Sequence, residues 1–92
     1  MVPVHPGRIL KRELAARRMT ISAFAAALKL PEGRVRGIIA GQRPLAVEVA
    51  LRLARYFGNS PQFWMNLQIA YELALAERAI GARVRSEVRR AA

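Results

Sequence analysis

The chain has 92 residues, a formal net charge of +10 and no cysteine, which sets one domain and excludes disulfides, thiolate metal sites and a cysteine nucleophile. One histidine, six scattered glutamates and no aspartate assemble no general acid–base pair or metal site from neighbouring positions, so no catalytic residue, metal or cofactor is expected and the chain reads as no enzyme. Sixteen lysines and arginines suit a polyanionic partner, most simply nucleic acid, although a basic surface also serves solubility alone.

Helical periodicity predicts an all-α fold of five helices. Residues 1–5 read as an extended lead-in, and Pro6 suits the first position of a helix that runs to about Arg17. Ile9, Leu10 and Leu14 form its buried stripe, with Arg8, Lys11 and Arg12 on the wet side. His5 has no acid, cysteine or second histidine near it and reads as a turn or capping residue, not a ligand. Thr20 is a cap for the second helix, whose apolar face is Ile21, Phe24, Ala25 and Leu28. Leu30, placed before Pro31, is steered from helical angles and breaks the run. A third helix follows from Glu32 to Ala40, stopped by Gly41. Val35, Ile38 and Ile39 form its back; Gly33, Arg36, Gly37 and Ala40 lie opposite, and Arg34 flanks them. A short helix with an apolar back, a small front and arginines beside it is what a helix-turn-helix needs to enter the major groove. A compact helical hairpin without a ligand shows the same pattern.

A fourth helix is predicted from about Ala46 to Phe57, with Val47, Ala50, Leu51, Ala54 and Phe57 inward and Arg52 and Arg55 outward. Ala46 is a poor cap, Glu48 suits the first turn, and Gly58 closes the helix. Ser60 and Pro61 open a fifth and longest helix. No lysine or arginine falls between Tyr56 and Ala76, where Glu72 is the only charge. This helix is apolar on several sides: Phe63, Leu67, Ala70 and Ala74; Trp64, Tyr71 and Leu75; Met65 and Ile69. One small domain cannot cover all of them, so a symmetric dimer through this helix is expected, with Phe63, Trp64, Leu67, Gln68, Tyr71 and Leu75 as interface residues. A C-terminal tail folded back over the helix is the other solution. From Glu77 onward a narrow stripe of Ile80, Val84 and Val88 runs among arginines, as a continued helix or a basic arm.

His5-Pro6-Gly7-Arg8-Ile9-Leu10 resembles the opening of the HigA-type (VapI-like) antitoxins, within the lambda-repressor-like (Xre) helix-turn-helix group. The run from Ala50 to Gln68 is similar to that family's Ala-Leu-Arg-Leu-Ala-x-x-Phe-Gly-x-Ser-x-x-Phe-Trp-x-Asn-Leu-Gln, and Ala70-Tyr71-Glu72-Leu73 continues it. The resemblance covers about residues 5–75. It implies a lambda-repressor-like domain over residues 1–75, helix five included, with residues 76–92 as a basic helical extension or tail. It also implies a dimer that binds a palindromic operator, represses its own operon, and neutralises a small toxin, usually a messenger-RNA endonuclease. By the same resemblance Thr20 and Ser22 lie beside the phosphates. Glu32, Gly33, Arg34, Arg36 and Gly37 take reading-helix positions, and Gln42 and Arg43 match a loop near the DNA backbone. Ile21, Gly33 and Gly37 depart from the family's larger polar residues. Arg34 and Arg36 then either supply guanine contacts or grip phosphates.

Two readings of function follow: an autorepressing antitoxin, and a free-standing Xre-type regulator without a toxin partner. No apolar run approaches the ~20 residues of a membrane span, and the first residues lack the apolar core of a secretion signal. A cytoplasmic place and no membrane partner are expected.

Overall fold

The computed structural model describes residues 3–91; Met1 and Val2 of the expected lead-in, and Ala92, lie outside them. Five helices follow in order: α1 Pro6–Arg17, α2 Ile21–Leu28, α3 Glu32–Ile39, α4 Val47–Phe57 and α5 Pro61–Glu87. The described residues hold no strand, and the all-α expectation is met.

Side-chain caps open three of the helices. His5 Nδ1 accepts the Gly7 N–H at 2.9 Å, Thr20 Oγ1 accepts that of Ala23 at 3.0 Å, and Ser60 Oγ accepts that of Phe63 at 3.1 Å. His5 is therefore the capping residue the sequence suggested. Gly58 ends α4 with φ 75°. Arg18 and Lys29 end α1 and α2 in the same left-handed region, with φ 54° and 58°, although neither is glycine. The break after α2 thus begins at Lys29, one residue before Leu30-Pro31, and the Leu30 N–H closes on Ala25 O at 3.0 Å.

Leu10, Leu14, Phe24, Leu28, Val35, Ile38, Leu45, Leu53 and Trp64 form most of the core. α3 packs against α1 and α2, while α4 packs against α2 and α5. Gly7 permits the first of these contacts, because a Cβ on it would stand 1.9 Å from Ile38 O.

Two expected faces are corrected. α4 buries Val49, Ala50, Leu53 and Ala54, whereas Val47 and Leu51 remain 61% and 56% exposed. Its sequence carries two overlapping apolar stripes, and the one with Val49 and Leu53 enters the core. Arg52 is half-buried on the flank, not outward. On α5, Trp64 and Gln68 are only 2% and 3% exposed, so they belong to the protomer's interior and not to a dimer surface. Trp64 packs against Phe57 with ring centroids 5.5 Å apart and donates Nε1–H to Asn59 Oδ1 at 2.8 Å. Gln68 Oε1 accepts the Leu45 N–H at 2.9 Å, holding the segment before α4.

α5 runs without interruption through Glu87, so the helical reading holds for residues 77–87. Residues 88–91 are exposed rather than folded back over the helix. Leu73, Leu75, Ile80, Val84 and Val88 stay exposed along it, and the molecule is elongated, 53 × 22 × 21 Å.

Candidate nucleic-acid interface

Val35 and Ile38 anchor α3 in the core and turn Glu32, Gly33, Arg36 and Ala40 to solvent, with Arg34 and Gly37 half-exposed. Thr20 and Ser22, at the start of α2, and Gln42 and Arg43, in the turn after α3, are also exposed. The nine residues singled out for DNA therefore all reach the surface, from α3 and its two neighbours in sequence.

Both arginines of the reading helix carry carboxylate partners. Arg36 Nη2 lies 2.8 Å from Glu32 Oε2, one helical turn away. That guanidinium, then the Ser22 hydroxyl, holds the Glu32 carboxyl below its ordinary range. Arg34 Nη1 lies 3.1 Å from Glu48 Oε1, and Arg52 Nη2 lies 3.3 Å from Glu48 Oε2. Hydrogen bonds from Arg34 and then Arg52 lower the Glu48 pKa. Arg52 also donates Nη1–H to Leu28 O at 3.1 Å. The end of α2, α4 and α3 are thus joined through Arg52, Glu48 and Arg34. In solvent such pairs fix geometry more than they stabilise. Sequence reasoning passed over Glu48 and Arg52 as site residues; their i, i+4 spacing was the available signal.

The turn after α3 is held from both sides. Gln42 and Arg43 N–H both donate to Gly37 O, at 2.9 and 3.2 Å. His5 Nε2 is 3.0 Å from Arg43 O. Because Nδ1 already accepts from Gly7, the ring proton resides on Nε2, which donates. The His5 ring also meets Tyr71 edge-on, with centroids 5.0 Å apart, so α5 supports the turn at one remove. The Arg43 stem lies across Gly37, where a Cβ would come within 2.5 Å of Cδ and 2.8 Å of Cγ.

Of the expected dimer residues, Phe63 and Leu75 are exposed. Leu67 and Tyr71 are half-buried, the latter against His5. Among the described residues no group of histidine, cysteine, aspartate and glutamate could hold a metal, and no helix is long and apolar enough to cross a membrane.

A five-helix domain whose third helix turns a small, arginine-flanked face to solvent is a helix-turn-helix protein by architecture. The helix-turn-helix family model matches residues 10–64. Virulence-associated protein I of Dichelobacter nodosus is 42% identical over 79 residues, covering 85% of this chain and 73% of that protein. An addiction module antidote protein of the HigA family from Coxiella burnetii superposes with a TM-score of 0.95 at 40% identity, covering 99% of this chain and 100% of the other. The Pseudomonas aeruginosa antitoxin HigA, solved with the higBA promoter, gives a TM-score of 0.91 at 43% identity over 95% and 96% of the two chains. The chain belongs to the helix-turn-helix family, in its HigA-type antitoxin branch.

Proposed function

We propose that this chain is the antitoxin of a toxin–antitoxin pair. It binds operator DNA as a dimer through α3 and the adjoining turn, represses its own operon, and neutralises a messenger-RNA endonuclease by binding it. It acts in the cytoplasm, by occupancy and not by catalysis. Thr20, Ser22, Gln42 and Arg43 serve as contacts around the α3 front, and exposed Phe63 and Leu75 with half-buried Leu67 as apolar positions for a second copy. One observation carries this reading: a near-complete superposition on an antitoxin solved with a promoter, in a chain with net charge +10 and an exposed arginine-flanked α3.

Fluorescence anisotropy on the duplex upstream of this gene, against a scrambled duplex at near-physiological salt, tests the DNA half. A preference of ~10³ or more is expected of a specific reader; equal binding that fades with salt rejects operator recognition. Growth arrest by the product of the adjoining gene, relieved by co-expressing this chain, tests the other half. Specific DNA binding without relief leaves a regulator that has no toxin partner.

A further inference from the structure

We propose that Arg43, seated on Gly37, is the side chain that discriminates between bases at the centre of this interface. The inference rests on the DNA-binding function proposed above and changes which residue does the reading.

On the α3 front only Arg36 has a side chain long enough to reach a base edge. Gly33 and Gly37 lack side chains, and Ala40 offers a methyl. Both α3 arginines already hold a carboxylate: Arg36 on the front with Glu32, and Arg34 on the flank with Glu48. Each holds a carboxylate with one of its five N–H donors, and that carboxylate's charge opposes the approach of a phosphate.

Arg43 differs on every count. Its guanidinium makes no ion pair among the described residues, while its backbone is fixed by Gly37 O on one side and by His5 on the other. Its stem crosses α3 at Gly37, in the space a side chain there would fill. The stem thus occupies the place of the missing residue-37 side chain, and in this proposal it delivers the guanidinium to the bases from there. An arginine fork matches O6 and N7 of guanine, the commonest specific contact in the major groove. A stem held in advance loses less freedom when that contact forms. Gly37 has a definite role in this arrangement: it is the seat, and any larger residue displaces the reader.

The test begins with a duplex enriched from a randomised pool by the wild-type chain, and a scrambled duplex of the same composition. Arg43→Lys keeps the charge and removes the fork. It is expected to lower affinity for the enriched duplex about 5- to 150-fold, with affinity for the scrambled duplex and the salt dependence unchanged. Gly37→Ala, a change that favours helix, is expected to lose the same preference while circular dichroism shows the fold intact. Methylation of guanine N7 in the enriched duplex should interfere with the wild type at a position where it no longer affects Arg43→Lys. If Arg43→Lys binds both duplexes as the wild type does, and Arg43→Ala weakens both by one factor, Arg43 is a phosphate contact and the inference falls alone. If the wild type enriches no sequence, the inference and the operator-reading function fall together.

Discussion

At Gly7 a Cβ would meet the carbonyl oxygen of Ile38, a backbone atom that cannot step aside without moving α3. Gly7→Ala should therefore destabilise the fold by about 1–3 kcal/mol, the range of overpacked cores, seen as a lower urea midpoint. At Gly33 a Cβ meets nothing within 4 Å, and the position is exposed inside a helix. Gly33→Ala should raise stability by ~0.5–1 kcal/mol through helix propensity. Equal shifts at both sites would refute the close approach of α1 to α3. In the sequence these glycines look alike, as does Gly37. What separates them is whether a distant backbone, open solvent or the Arg43 stem fills the next few ångströms, and that depends on the fold. His5 was readable as a cap because a cap is local; its bond to Arg43 O spans 38 positions and left no local signal.

Among the elements, α4 does more than fill the core. Its Glu48 and Arg52 hold Arg34 in place and connect it to the end of α2. Glu48→Gln should free Arg34 and remove a charge that repels phosphate. Affinity for random duplex DNA at low salt is then expected to rise roughly two- to fivefold, as exposed-pair energies imply; an unchanged or lower affinity would show that Glu48 does not restrain Arg34. Acid should act in a defined direction. Glu32 and Glu48 ionise below their ordinary value of 4.5 in the folded chain. Their pairs therefore contribute fully above that value, and the contribution is lost as pH falls through the lowered folded values. Thermal melts from pH 6 to 3 should show a steeper loss in the wild type than in a Glu32→Gln/Glu48→Gln variant, and parallel curves would contradict this. Helix starts at Pro6, Ile21 and Pro61 could be read from sequence because each cap sits beside its helix. The inward face of α4 could be read only in part: Ala50, Ala54 and Phe57 turn inward as expected, but its apolar residues admit two stripes and packing against α2 and α5 selects Val49 and Leu53 over Val47 and Leu51. Gln68 was hidden for a related reason: a polar side chain becomes interior when an N–H 23 positions away needs an acceptor.

The shape of the molecule follows from α5. Its 27 residues span about 40 Å at 1.5 Å each, more than the helical body needs. The first turns are anchored by Trp64 and Gln68, and the last carry Ile80 and Val84 into solvent beside the ion pairs Glu77–Arg85 and Arg83–Glu87. The apolar excess was apparent in the sequence, but its division between core and surface was not, because that depends on where α4 lies. An exposed stripe of this length suits a second copy, and dimerisation bears on the charge as well. Each phosphate neutralised adds about −0.9 to the slope of log affinity against log salt, so a dimer that sets down two α3 fronts should show about twice the slope of a monomer. Ile80→Glu with Val84→Glu tests this cleanly, since both side chains lie far from the core and their loss should leave the protomer's melting unchanged. Light scattering should fall from twice the 10.2 kDa of one chain to a single mass, and the salt slope on the enriched duplex should fall by about half. A dimer that survives the double change would confine the pairing surface to Phe63, Leu67 and Leu75. A wild type that is already monomeric at micromolar concentration would leave each α3 to find its half-site alone, with affinity set by one front and the few arginines around it.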